Sequence, residues 1–218
     1  MSRLSRELIA RAAIAIADAD GVEALSMRRV AAHLGVGTMS LYHHVGDRQG
    51  LYTLMGDTIM ARQIIPAAEV PDGWRAGLAE IAVRMHGLFR AHPWILAGWH
   101  DADRGEPGSS FVRHVEQTLA IMADLDFLPI GERMALSGLV DEYVMGHLMR
   151  HVDVADLDQR WTDYLAEQAA SGQFPHLAEA FAAGLHRDQR PGAFQHGLRI
   201  VLDGIERYVE ARRPGSGI

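Results

Sequence analysis

The chain has 218 residues, a formal net charge of −7 and an apolar fraction of 48%. That describes a foldable globular chain with ample material for a core. It has no Cys, Lys or Asn, so all 21 basic residues are Arg. Without Cys there is no disulfide framework, thiolate zinc site or Cys nucleophile. The longest apolar runs, such as residues 94–99, fall far short of the ~18 residues a membrane span needs, and residues 1–6 lack the apolar stretch of a signal peptide. A cytoplasmic location is expected. An acidic balance speaks against a general nucleic-acid binder. The charge is, however, unevenly placed. Residues 1–62 hold seven Arg and six acidic side chains, +1, whereas the remainder holds 14 Arg against 22 acidic residues, −8.

In chain order the pattern is helical throughout. Leu4, Leu8, Ile9, Ala12, Ala13, Ile16 and Ala17 recur at three- and four-residue spacing, and Gly21 stops that helix. Ser26 stands where an N-cap belongs, ahead of a short helix over 27–34. Residues 35–37, Gly-Val-Gly, break it, and a second short helix is expected over 38–44. Gly46 and Asp47 break and cap again before a helix from Arg48 to about Ile65. The Pro66–Gly73 stretch reads as a linker, dividing the chain into a head, 1–66, and a body, 67–218. The body carries helical patterns over 74–91, about 111–125, 129–152, 158–170, 175–185 and 193 to about 212. A turn-rich stretch covers 101–110. Nothing alternates with the two-residue period of a strand, so the expected class is all-α: a three-helix head with a helix-turn-helix and a larger all-α body for ligand binding and dimerisation.

Two short helices joined by a glycine-containing three-residue turn meet the requirement of a helix-turn-helix. Val30, Leu34, Val36 and Leu41 form its expected apolar seam, with Ala31 and Ala32 allowing close approach. The second helix then turns Thr38, Met39, Ser40, Tyr42 and His43 outward. Thr38 suits hydrogen bonds to base edges and Met39 a thymine methyl. Tyr42, His43, His44 and Arg48 suit phosphate oxygens. Arg28 is placed for a bidentate guanine contact, and Ser26 completes the candidate DNA-binding set. With only +1 on the head, groove contacts rather than bulk charge carry the binding.

Here the sequence resembles a known family. Residues 25–36, Leu-Ser-Met-Arg-Arg-Val-Ala-Ala-His-Leu-Gly-Val, then 41–45, Leu-Tyr-His-His-Val, and 48–51, Arg-Gln-Gly-Leu, look like the head of the tetracycline-repressor (TetR) family. Residues 191–198, Pro-Gly-Ala-Phe-Gln-His-Gly-Leu, with Gly204-Ile205-Glu206, are similar to its last helix. The resemblance implies a homodimer on a palindromic DNA operator, with a pocket in each body whose small-molecule effector moves the heads apart and releases the DNA. The chain departs from the tetracycline-binding subclass: Asn is absent, and Arg62-Gln63-Ile64-Ile65 lacks the expected His. Tetracycline is therefore not the expected ligand, although His100 falls in the loop where that subclass presents a His to its magnesium–drug complex.

For the effector, Met85, His86, Phe89, Trp99, His100, Phe111, Met122, Tyr143 and His147 are candidate wall residues, with Trp74 and Trp94 in the wider apolar set. The 129–152 helix is apolar almost all round. Gly138 and Gly146 on it, with Gly197 and Gly204 on the last helix, suggest close helix approach in an isologous four-helix dimer interface. His147 and His151 have metal-sharing spacing, but no His-Glu-x-x-His pattern accompanies them. No metal or cofactor is expected, and no nucleophile elbow, P-loop or dinucleotide fingerprint indicates an enzyme. The alternative is an all-α small-molecule-binding or catalytic protein whose head serves protein contacts.

Overall fold

A computed structural model describes residues 4–97, 108–149, 155–184 and 192–215. Among these residues the regular structure is entirely helical: α1 (Arg6–Asp20), α2 (Met27–Leu34), α3 (Thr38–Val45), α4 (Arg48–Ala61), α5 (Trp74–Ala91), α6 (Trp94–Ala97), α7 (Ser109–Ile121), α8 (Ile130–Met149), α9 (Ala155–Ala170), α10 (Pro175–Ala182) and α11 (Ala193–Glu210).

The helices of the head begin and end where side-chain chemistry dictates. The Ser5 hydroxyl accepts from the Leu8 N–H, Ser26 from Arg29 and Asp47 from Gly50, so three N-termini have one orphan donor satisfied each. Gly21, Gly35 and Gly46 follow the C-termini of α1, α2 and α3 with positive φ of 81°, 66° and 76°. One apolar cluster then closes the head: Ile9, Ala13 and Ile16 of α1 meet Val30 and Ala31 of α2, Leu41 of α3 and Leu51, Met55 and Ile59 of α4. Leu34 and Val36 pack at its margin. Of the two alanines expected to allow close approach, Ala31 is buried in this cluster and Ala32 is exposed.

Helix α4 ends at Ala61, four residues before the expected stop near Ile65. The Arg62 and Gln63 amides close the last turn on Ile59 and Met60. Ile65 then gives its N–H to Gln117 Oε1 at 2.9 Å and its carbonyl to Gln117 Nε2 at 2.7 Å. Pro66 favours extended backbone at Ile65, and the α7 amide supplies the hydrogen bonds that a continued helix would have made.

The body centres on α5, α8 and α11, which contact one another pairwise. Leu136, Val140, Val144 and Leu148 repeat every fourth residue along the buried side of α8. Phe194, Leu198, Leu202, Ile205 and Val209, three or four residues apart, line the buried side of α11. The other side of α8 is not buried within the chain: Met134, Leu139 and Met149 are about half exposed, and so is Ile200 on α11. Of the four glycines expected at close approaches, only Gly197 makes one among the described residues, with Tyr143 lying where its Cβ would be; a Cβ at Gly138, Gly146 or Gly204 meets none of them within 4 Å. Helices α9 and α10 pack on each other.

Head and body are tied at two places. Helix α4 lies along α7, where Asp57 Oδ1 accepts the Ser110 N–H at 2.7 Å. On the other side Asp18 of α1 pairs with His92 Nδ1 and accepts from Trp94 Nε1, both at 2.7 Å. His92 Nε2 lies 3.4 Å from Arg62 Nη1. The one-turn helix α6, not anticipated from the pattern, is started by Ile95 and Leu96 amides bonding back to His92 and Pro93.

Candidate DNA-binding face and effector-binding body

Leu41 and Val45 hold α3 against the head core, one turn apart. Four of the remaining positions of this short helix, Met39, Ser40, Tyr42 and His43, point away from it. Met39 is 71% exposed and Tyr42 41%. Ser40 and His43 are exposed, whereas Thr38 and His44 are half-buried. The His44 carbonyl accepts from Arg6 Nη1 at 2.6 Å, which fixes the end of α3 to the start of α1.

At the start of α2, Arg28 is exposed while its neighbour Arg29 is committed to Asp20 and to the Ala24 carbonyl. The ion pair at this end of α2 is thus made by Arg29 with Asp20 and not by Arg28. Ser26 uses its hydroxyl oxygen to cap Arg29, and the hydroxyl proton is left to donate. Arg48 is held in place by Tyr52, whose phenolic oxygen lies 2.8 Å from Nη2 and 3.2 Å from Nε, with the guanidinium 5.3 Å from the ring centroid. A guanidinium so placed keeps donors for a phosphate while losing less rotamer freedom on binding.

The effector candidates divide into two groups. Met85, Phe89 and Met122 are 3%, 0% and 0% exposed and belong to the body core. His86, Tyr143 and His147 gather around Phe194. His86 stacks on that ring at 3.9 Å and 13°, His147 lies 5.3 Å from both His86 and Phe194, and Tyr143 Oη donates to the Phe194 carbonyl at 2.9 Å. Phe194 was not singled out, although it stands within the 191–198 run that carried the family resemblance. Phe111 is 37% exposed on the first turn of α7. Trp99, His100 and His151 lie outside the described residues. Trp94, from the wider apolar set, is committed to Asp18. Trp74 instead lines an open groove of about 620 Å³ between the start of α5 and α11, together with Arg75, Val83, Leu198, Arg199 and Leu202.

Sequence reasoning also missed three buried polar positions, Gln63, His114 and Thr118, which are 1%, 6% and 7% exposed. Burial pushes the His114 imidazole below its ordinary pKa, so it is neutral at physiological pH. Among the described residues no group of three or more His, Asp or Glu could hold a metal ion.

Asp141 on α8 is pushed up from 3.8 to about 6, first by burial and then by the adjacent Glu142 carboxylate. A folded-state pKa raised above the unfolded one gives stability at low pH that is lost as pH rises through the folded pKa. Stability should therefore fall between about pH 4 and pH 6. Asp141→Asn is expected to flatten that slope and raise stability at neutral pH by on the order of 2 kcal/mol, checked by thermal melts across a pH series.

Residues 9–54 match the model of the bacterial regulatory proteins of the tetR family, and residues 66–209 match the tetracyclin repressor-like C-terminal domain. The HTH-type transcriptional repressor DrrR1 of Streptomyces coeruleorubidus is 34% identical over 98% of this chain and 81% of its own length. The class C tetracycline repressor protein of Escherichia coli is 24% identical over 95% of this chain and 93% of its own. Among solved structures, Streptomyces coelicolor ActR, a TetR family protein in complex with actinorhodin, superposes with a TM-score of 0.78 at 25% identity, covering all of both chains. No helix among the described residues is long and apolar enough to cross a membrane. With a helix-turn-helix head, an all-α body and matches across both, the chain belongs to the TetR family of ligand-responsive repressors, which act as homodimers on operator DNA.

Proposed function

We propose that this protein silences a target gene by holding the two halves of a palindromic operator with the two α3 helices of its dimer. Residues 1–66 serve as the DNA-binding domain and 67–218 as the ligand-binding and dimerisation domain. The protein works in the cytoplasm and without catalytic activity of its own. The observation that carries this reading is the outward side of α3, where a large apolar side chain (Met39, 71% exposed) and a tyrosine (Tyr42, 41%) stand in water on a helix otherwise anchored by Leu41 and Val45. Ser40, Tyr42, His43 and Met39 read or grip the major groove, Thr38 and His44 support from its edge, and Ser26, Arg28 and Arg48 hold the flanking phosphates and bases.

Dimerisation uses the exposed side of α8 and α11. These helices run antiparallel, since Tyr143 meets Phe194 at one end and Glu132 accepts from Tyr208 at the other. In that register Leu139 lies level with Ile200, Gly146 with the start of α11, and Gly204 with Met134 near the start of α8. Glycines whose added Cβ would meet nothing within 4 Å among the described residues let two copies of this pair approach closely across a two-fold axis. The relation to ActR, whose complex holds actinorhodin, supports an organic effector for the body.

Tyr42→Ala and Arg28→Ala test the contacts separately. Each is expected to weaken binding to the recovered operator by ~1–3 kcal/mol while leaving the melting temperature unchanged. Unaltered affinity in a gel-shift titration would remove that residue from the interface.

A further inference from the structure

Sulfur chemistry in this chain belongs to methionine alone, since ten Met stand against no Cys. Met1 lies outside the described residues, and the other nine divide by position. Met27, Met55, Met60, Met85 and Met122 are buried in the two cores, and Met145 packs against that of the body. Met134 and Met149 are about half exposed, both on α8, one of the two helices of the proposed dimer interface. That leaves Met39 on α3, which at 71% is the most exposed large apolar side chain among the described residues.

Packing within the head does not require a thioether there. Leu41 and Val45 already anchor α3, and the outward positions beside Met39 are the polar Ser40 and His43. The apolar area of Met39 is put to use only when another surface, such as a thymine methyl, covers it. Until then its sulfur stands in water, open to oxidants from which the buried methionines are shielded. Oxidation turns the flexible apolar side chain into a polar sulfoxide, and sulfoxide reductases restore the thioether.

We propose that Met39 is an oxidation site, and that its conversion to the sulfoxide by a hypohalous acid such as hypochlorous acid releases the operator. This rests on the reading of α3 as the DNA-reading helix and adds a second, oxidative signal to that of the effector. In the net step the sulfur loses two electrons and gains a bond to oxygen. The O–Cl bond breaks, the chlorine leaves as chloride, and the proton of the hypochlorous acid is released to water. The product cannot serve the groove as the thioether did. Pressed against a thymine methyl, the sulfoxide oxygen is an acceptor taken out of water with no donor to meet it. His43, four residues on, shares this side of α3, and an imidazole N–H that turns to the sulfoxide oxygen is withdrawn from the phosphate. The change occurs once in each head of the dimer, so the two losses add.

The experiment treats the full-length protein with graded hypochlorous acid, quenched with free methionine. Peptide mass spectrometry follows the oxygen gained at each methionine, and fluorescence anisotropy follows affinity for the operator recovered by genomic selection. Met39 is expected to oxidise before Met134 and Met149, and excess operator DNA should protect it. Affinity should fall about tenfold per head, on the order of a hundredfold for the dimer. It should return after treatment with methionine sulfoxide reductases A and B, which together reduce both epimers. Met39→Leu should show the same affinity before and after treatment. Met134→Leu combined with Met149→Leu keeps Met39 and should lose as much on treatment as the unaltered chain. Oxidised Met39 with undiminished affinity overturns the proposal, as does oxidation of Met134 or Met149 ahead of Met39. An equal loss in treated Met39→Leu also overturns it; if that variant binds too weakly to measure, a Met134→Leu/Met149→Leu protein that keeps its affinity on treatment does so instead. Operator recovery by the untreated protein is measured separately. A chain that recovers no operator refutes the repressor reading and this switch with it, whereas an operator still held after Met39 is oxidised refutes the switch alone.

Discussion

Substituting Glu for both Leu139 and Ile200 is expected to turn the dimer into a monomer and to abolish tight operator binding. Both side chains are about half exposed on the isolated chain, 48% and 58%, on the α8–α11 pair. Two-fold symmetry places four new carboxylates in the interface, and removing an unpaired charge from water costs several kcal/mol. A penalty of about 4 kcal/mol would already weaken dimerisation a thousandfold. Operator affinity should fall with it, because two linked heads bind about 10²–10⁴ times more tightly than either alone. Sedimentation equilibrium and fluorescence anisotropy on operator DNA measure the two effects. Val112→Glu is the control: Val112 is 63% exposed on α7, so a charge there should leave the dimer intact. A double variant that still sediments as a dimer would place the interface elsewhere.

Gly50→Ala is expected to unfold the head while sparing the body. Gly50 lies in the first turn of α4, and its N–H bonds to the Asp47 cap at 2.7 Å. A Cβ there would collide with the backbone carbonyl of Val45, the last residue of α3. A flexible side chain could swing aside, but a backbone oxygen moves only if the α3–α4 turn opens. That should cost about 3 kcal/mol or more, a large share of the stability of a domain of this size. Calorimetry should show an early transition for the head, lost operator binding and a body that remains helical and dimeric. A single unchanged transition would show either that the turn absorbs the methyl or that head and body do not unfold separately.

How far these features could be read in advance depended on whether their cause was local. Ser26 and Asp47 cap α2 and α4, and Gly21 and Gly35 end α1 and α2, through bonds to residues a few positions away; the pattern therefore located them. The outward set on α3 was legible for the same reason, because Leu41 and Val45 determine which side faces in. The end of α4 was not, since Gln117, 52 positions on, takes the Ile65 backbone. Asp18 gave no sign of its role: its partners His92 and Trp94 lie 74 and 76 residues away. Trp94, grouped with possible effector contacts for its aromatic ring, is spent on that link. Glycine spacing on α8 and α11 suggested close packing, which Gly197 makes with Tyr143, while a Cβ at Gly138, Gly146 or Gly204 would meet nothing within 4 Å among the described residues. Gln63 was noted only for not being a histidine. That its amide is buried with no partner among the described residues is a property that only three-dimensional packing confers.

The charge pattern acquires its meaning from the same division. A head at +1 on a body at −8 has little general attraction for DNA, so under the proposed function discrimination rests on the outward side chains of α3. Selection from sheared genomic fragments with the full-length dimer, followed by sequencing of the bound pool, tests this most directly. Enrichment of a palindromic sequence that Tyr42→Ala no longer recovers is the predicted result. A pool with no enrichment at moderate salt, or one recovered equally by Tyr42→Ala, would contradict the assignment of α3 as the reading helix.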